Sequence, residues 1–292
     1  MHKTRKLSID SGMKFVLITP NHLGRECELR YNAFMGHSGL IDFHCHLDDP
    51  CFEKNRWQII DECFASGFNR LVTVADPYNE RSLELTAKMV SRYAGMDSTV
   101  GAHPHQASHY SGEVEKRILA FLVGHKVLAV GEVGLDFHYD LSPREIQVAV
   151  FRRQIAIARE HVLPLVIHSR QAEERVLQIL DQEKFALPVV FHCFTGDSNA
   201  AEEILRRGYH LSFSGIITFK NAAELQAIVA KTPLERLFSE TDSPFLAPEP
   251  ERGRTNSPLA VSRVAEKISE IKNTDIDALL DQIARNYQGL KR

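Results

Sequence analysis

The sequence predicts an α/β fold, and within that class a (β/α)₈ barrel. Three observations carry the prediction. Short apolar runs alternate with helical stretches eight times. Most of those runs are rich in Val, Leu, Ile or Phe, as strands buried on both faces of a parallel sheet are. Polar residues able to do chemistry follow six of the eight runs, and a barrel is the architecture in which all strand ends converge on one mouth. In an open doubly wound sheet only strands near the switch point share a crevice, and no GxGxxG or GxxxxGK[ST] follows any strand here.

The predicted strands are Leu40–His46, Arg70–Ala75, Thr99–His103, Val127–Glu132, Leu165–His168, Val189–Cys193, Tyr209–Phe213 and Leu237–Thr241. The seventh reads as more amphipathic than the others. The clearest helix spans Pro143–Glu160, with Ser142 as its expected N-cap, Pro143 at the first helical position, and apolar residues at Ile146, Val150, Ile155, Ile157 and Ala158. Further helices are expected over Arg56–Ser66, Glu80–Tyr93, Glu113–Val123, Ala172–Gln182, Ala200–Arg207 and Ala222–Ala230, and two more, Pro258–Ile271 and Asp275–Asn286, close the chain.

Residues 1–38 read differently. They carry Lys3, Arg5, Lys6, Lys14, Arg25 and Arg30, and neither strand nor helix periodicity persists. The run Phe15-Val16-Leu17-Ile18 is too short for a signal-peptide core, and Asp10, Glu26 and Glu28 count against a transit peptide. The expectation is a poorly ordered extension, or an upstream start with Met35 as the natural one, ahead of a catalytic domain over 39–292.

The whole chain has 292 residues, a net charge of -3, 43% hydrophobic and 25% charged residues, which is ordinary for a globular protein and argues against a broadly basic surface that coats nucleic acid. A local basic rim stays compatible with that balance. Five cysteines without a CxxC pair suggest reduced thiols and a cytoplasmic location, and no stretch is long and apolar enough to suggest a membrane span.

The site is read strand by strand. In Asp42-Phe43-His44-Cys45-His46 the two histidines are spaced i, i+2, so on a strand they share a face while Cys45 points away. The third run leads to Gly101-Ala102-His103-Pro104-His105, the fourth to Glu132 within Gly131-Glu132-Val133-Gly134-Leu135-Asp136, the fifth to His168, the sixth to His192, and the eighth to Asp242. A lone histidine after a strand is usually a hydrogen-bonded loop residue, and Asp before Ser-Pro is a good turn-starter. Charged side chains, however, are rarely tucked against a barrel mouth unless paired or liganded. Four histidines (His44, His46, His168 and His192) and two carboxylates (Glu132 and Asp242) at one end point jointly to a metal centre. Imidazole and carboxylate donors without thiolates suit Zn²⁺, Mn²⁺ or Fe²⁺, with Mg²⁺ also compatible. Six exceed the three protein ligands of a mononuclear catalytic zinc, and a carboxylate such as Glu132 can bridge two ions, so hydrolysis is the expected reaction. The residues alone leave open whether a phosphodiester, an ester or an amide is cleaved.

The ordered set HxH, GEVGLD, IHS, FHCF and ETDSP, with Arg252-Gly253-Arg254-Thr255-Asn256 after it, resembles the TatD family of metal-dependent hydrolases from about Gly39 onward. The resemblance implies a TIM barrel, two divalent metal ions (Mg²⁺, Mn²⁺ or Zn²⁺) and deoxyribonuclease activity, often 3′–5′ on single-stranded DNA. It implies that His44, His46 and Asp242 bind one ion, that His168 and His192 bind the other, and that Glu132 bridges. It further implies that Asp242 handles the attacking water and that His103 contacts the scissile phosphate or its leaving group. Arg252 and Arg254, on a rim loop, would hold substrate phosphates. Phe194 and Phe245 could stack on bases, although packing is their simpler role. An esterase or amidase, such as a D-aminoacyl-tRNA deacylase, is the alternative enzyme, and a degenerate binding barrel the non-enzymatic one. Related amidohydrolases often bridge their metals with a carboxylated lysine after strand four; Glu132 at that position favours the TatD branch.

Overall fold

The computed structural model describes residues 39–291, so the expectations for residues 1–38 lie outside the described residues. Strands β1 (Ile41–Cys45), β2 (Arg70–Ala75), β3 (Met96–Val100), β4 (Val127–Asp136), β5 (Leu165–Arg170), β6 (Val189–Phe191), β7 (His210–Phe213) and β8 (Leu237–Ser239) form one parallel sheet in sequential order. Seven helices connect or follow them before the chain's end: α1 (Arg56–Ala65), α2 (Glu80–Arg92), α3 (Gly112–Gly124), α4 (Arg144–Glu160), α5 (Glu173–Gln182), α6 (Ser198–Arg206) and α7 (Ala223–Lys231). Two last helices, α8 (Val261–Lys272) and α9 (Ile276–Leu290), pack on one another and on the strands. This is the predicted (β/α)₈ barrel.

The β8–β1 seam lacks a continuous ladder and is closed by other means. Asp242 N–H donates to the His44 carbonyl (2.9 Å), and His46 N–H donates to the Ser243 carbonyl (2.7 Å). Below them the buried carboxylate of Asp42 accepts from the Thr241 N–H (2.9 Å) and hydroxyl (2.6 Å). Phe43 and Phe238 stack across the seam with ring centroids 4.3 Å apart. The seam therefore aligns the ends of the two strands that carry His44, His46 and Asp242.

Register irregularities re-aim two of the site residues. Asp42 pairs with Leu71 but Cys45 with Thr73, so β1 has one extra residue across Phe43–His44. Val130 pairs with Leu165 but Val133 with Ile167, so β4 has one extra residue across Gly131–Glu132. Bulges of this kind turn a side chain out of simple alternation. Gly134 lies at φ +137°, and a Cβ there would sit 2.1 Å from the His168 carbonyl oxygen, so only glycine lets β4 approach β5 this closely.

Three local expectations are corrected. Ser142 does not cap α4, whose N-cap is Pro143; the Ser142 hydroxyl instead donates to the His105 carbonyl and accepts from the Ser108 N–H. β3 begins at Met96 rather than Thr99, because polar Asp97 and Ser98 are buried strand residues. β7 is buried along its whole length rather than amphipathic, with His210 and Ser212 facing the interior of the fold.

Candidate metal centre

The residues singled out on six strands do meet. Glu132 sits at the middle, with 6% of its side chain exposed. Its Oε1 lies 2.9 Å from His44 Nε2 and 3.2 Å from His46 Nε2. Its Oε2 lies 3.2 Å from His192 Nε2, 3.5 Å from His103 Nε2 and 3.9 Å from His168 Nδ1. Asp242 Oδ1 is 3.3 Å from His46 Nε2 and 3.9 Å from His44 Nε2. The rings of His44 and His192 stack at 4.1 Å. Cys45 points away, as the i, i+2 spacing requires, and its thiol donates to the Val72 carbonyl.

One carboxylate thus faces two sets of imidazoles, one through each oxygen. Ligand atoms of His44, Glu132 and His192, of His44, His46 and Asp242, and of His103, Glu132 and His168 lie within 4.8 Å of one another in each set. Metal fit is tested by hydrogen bonding. Nδ1 of His44 and both ring nitrogens of His192 are buried without a hydrogen-bond partner. Buried imidazole nitrogens are normally satisfied; the orphaned His192 Nε2, 3.2 Å from Glu132 Oε2, faces the place a cation would occupy, whereas His44 turns its Nε2 to Glu132 and its orphaned Nδ1 away. The set consists of nitrogen and oxygen donors only, which suits Mg²⁺, Mn²⁺ and Zn²⁺.

Electrostatics agree with the geometry. Burial opposes ionisation of Glu132, but the imidazoles of His44 and His192 reverse that and hold its carboxyl well below the usual carboxylate range. Burial works likewise on Asp242 and is overcome by its hydrogen bond to His46, so this group also stays low. Burial alone would lower His46, yet its bond to Asp242 and the charge of Glu132 push it up to about 9. His192 is raised as well, the charge of Glu132 outweighing burial. His103 goes the other way: burial, reinforced by neighbouring His168, takes it well below the usual imidazole range, so it is neutral at pH 7.

Sequence reasoning left three supporting residues without a role. Asp136 Oδ2 accepts from His105 Nε2 (2.8 Å) and His168 Nε2 (2.9 Å). That bond leaves the His168 Nδ1 lone pair turned toward Glu132, the way a carboxylate fixes the tautomer of a metal-binding histidine. Gln147 of α4 clamps the Asp136 backbone through its N–H (2.8 Å) and carbonyl (3.1 Å). Glu240 Oε1 accepts from the Cys193 N–H (2.6 Å) and lies 3.5 Å from His192 Nδ1. Asp136 and Glu240 belong to the GEVGLD and ETDSP motifs, and Asp136 follows Glu132 at i+4, whereas Gln147 lies in the helix and in no motif. Same-face parity was the available signal.

Arg252 and Arg254 are both exposed, on the loop after β8, and the Arg252 guanidinium lies 4.2 Å over the Phe219 ring. Phe194 is buried in the core, whereas Phe245 is 53% exposed with its ring 5.9 Å from that of His46.

A parallel barrel that gathers imidazoles and carboxylates at its strand ends is the framework of a metal-dependent hydrolase. The family model described as TatD related DNase matches residues 41–291. The uncharacterized metal-dependent hydrolase YabD of Bacillus subtilis is 37% identical over 254 residues, 87% of this chain and 99% of its own. A protein of Enterobacter lignolyticus named 3′-5′ ssDNA/RNA exonuclease TatD is 30% identical over 257 residues, 86% of this chain and 98% of its own. The crystal structure of YJJV, a TatD homologue of Escherichia coli K12, superposes with a TM-score of 0.80 at 26% identity, covering 86% of this chain and 97% of that one. The chain belongs to the TatD-related DNase family of metal-dependent hydrolases. Among the described residues no helix is long and apolar enough to cross a membrane, and Cys45, Cys51, Cys63 and Cys193 are free thiols.

Proposed function

We propose that this protein is a two-metal phosphodiesterase, a 3′–5′ exodeoxyribonuclease acting on single-stranded DNA ends in the cytoplasm. The observation that carries the reading is the placement of Glu132, each of whose oxygens faces its own group of imidazoles. In this reading His44, His46 and Asp242 hold one ion, His168 and His192 the other, and Glu132 bridges. Divalent ions held there would polarise the phosphodiester and acidify an attacking water.

The chain's own groups do the rest. Asp242 is the carboxylate suited to orienting and deprotonating that water: 15% of its side chain is exposed, against 6% for Glu132. His103, 27% exposed and neutral, presents an imidazole to the scissile phosphate or its leaving oxygen. The exposed guanidinium groups of Arg252 and Arg254 contact more distant phosphates. The relative named as a 3′-5′ ssDNA/RNA exonuclease supports the choice of substrate.

The test is a 5′-labelled single-stranded DNA, with protein stripped by chelator and reloaded separately with Mg²⁺, Mn²⁺ or Zn²⁺. A ladder shortening from the 3′ end, restored by metal and absent in Asp242→Ala, is the expected result. Intact DNA with fully loaded metal would overturn the nuclease reading and move the substrate to an ester or amide, for which release of a D-amino acid from charged tRNA is the assay.

A further inference from the structure

Six large hydrophobic side chains stand out as exposed among the described residues, and the two aromatic ones are Tyr139 and Phe245. Both are at the barrel mouth. Tyr139 follows β4, is 55% exposed, and meets the His105 ring edge-on at 5.6 Å. Phe245 follows β8, 53% exposed, against His46. In a sequentially ordered eight-stranded barrel β4 and β8 stand opposite one another, so the two rings flank the metal centre from opposite sides.

Arg170 completes the arrangement on the β4–β5 side. It lies two residues beyond His168 on β5, on the same face of the strand, in register with Asp136. It is half-buried, and its guanidinium sits 5.7 Å from the Tyr139 ring centroid. Among the described residues no carboxylate pairs with it, whereas Arg152 pairs with one and Arg153 and Arg207 with two each. The Tyr139 backbone is anchored, because its N–H donates to Asp136 Oδ1 at 2.8 Å. An unpaired, half-buried arginine next to a phosphodiester-cleaving centre has its counter-charge supplied by substrate.

We propose that Arg170 and Tyr139 form a nucleotide subsite beside the metal centre. Arg170 holds the phosphate next to the scissile one, Tyr139 stacks on the attached base, and Phe245 receives the base on the far side. The subsite rests on the phosphodiesterase reading and extends it. Rings on both sides of the centre accept bases only when these are splayed from a partner strand, so the geometry selects unpaired nucleic acid.

The experiment compares two substrates on the metal-loaded full chain. One is a single-stranded oligonucleotide, the other bis(4-nitrophenyl) phosphate, which has a scissile diester but no neighbouring phosphate or base. The readout is the ratio of their kcat/KM values. Arg170→Ala and Tyr139→Ala should each lower that ratio about tenfold, the scale of one lost stacking or phosphate contact. For Arg170→Ala the salt dependence of kcat/KM on the oligonucleotide should flatten by about 0.7 in log–log slope, the value of one single-strand phosphate contact, and Arg170→Lys should restore it. Tyr139→Phe, which keeps the ring, should recover the ratio.

A ratio staying within about twofold of wild type in both alanine variants overturns the subsite, including the case in which both activities fall together through damage to the fold. A wild-type enzyme inert on the oligonucleotide instead overturns the phosphodiesterase reading, and is seen before any variant is made.

Discussion

The two ends of the barrel each bury a carboxylate among basic groups, and the two have opposite characters. At the mouth, Glu132 is crowded by five imidazoles within 3.9 Å. At the base, Asp97 of β3, 1% exposed, accepts from the Tyr287 hydroxyl, from Lys291 Nζ (2.7 Å) and from Lys126 Nζ (3.0 Å), with Arg70 Nε 3.9 Å away. Both carboxyls are held low against the opposing effect of burial. A depressed carboxylate therefore does not by itself distinguish function from structure. Donor chemistry does. Every partner of Asp97 carries a fixed proton, and the contact pins the end of α9 to the barrel. The partners of Glu132 are imidazoles, and two of them keep buried nitrogens with no hydrogen bond. Asp97 receives three proton-bearing donors, although Arg70 Nε beside it has no hydrogen-bond partner, whereas the imidazoles around Glu132 are groups that can give a lone pair to a cation.

The comparison breaks most sharply if the two carboxylates are neutralised in turn. Glu132→Gln should lower metal-dependent kcat by about 10³-fold or more, a loss of roughly 4 kcal/mol, while the melting temperature of chelator-treated protein moves little. Asp97→Asn should do the reverse. Loss of its charged hydrogen bonds costs about 2–4 kcal/mol, lowering the melting temperature by roughly 5–10 °C, and activity per folded molecule stays near wild type. Calorimetry beside a single-turnover assay checks both. A Glu132→Gln protein that melts much lower than wild type while keeping its activity would erase the distinction. The next effect in size sharpens it within the mouth. Asp136→Asn leaves every proposed ligand in place but gives up the acceptor that sets the His168 tautomer, so metal affinity should fall about 10–100-fold, measured by titration of stripped protein.

These contrasts also show what was legible in the sequence. The barrel was, because parallel strands buried on both faces write themselves as apolar runs, and the long helix Arg144–Glu160 shows its period. The six strand-end residues were, because imidazoles and carboxylates directly after such runs have few structural uses. Asp97 was not: a charged residue inside a strand breaks the apolar run, and only Lys126, Lys291 and Tyr287, the latter two distant in sequence, make its burial tolerable. That is why β3 was read as starting at Thr99. The bulges at His44 and Glu132 were hidden for a related reason, since register is a relation between two strands. Arg170 escaped notice although it follows His168 at i+2, because an unpaired arginine can only be recognised once its neighbours are known.

The smallest effect concerns pH, and it separates the base from the mouth without touching the chemistry. The folded carboxyl of Asp97 lies below its ordinary value through the hydrogen bonds from Lys291, Tyr287 and Lys126, which outweigh burial. A group depressed in the folded state stabilises above its unfolded pKa, near 4, and that stabilisation is lost as pH falls through the folded value. The stability difference between wild type and Asp97→Asn should therefore be constant from about pH 5 to 7 and shrink progressively below about pH 4. Urea midpoints of chelator-treated protein across that range measure it. Working without metal keeps cation binding, itself pH-dependent through protons on His46 and His192, out of the comparison. A difference that persisted undiminished at pH 3 would mean that Asp97 contributes by shape and neutral hydrogen bonding rather than by charge, and the two ends of the barrel would then differ in more than their donors.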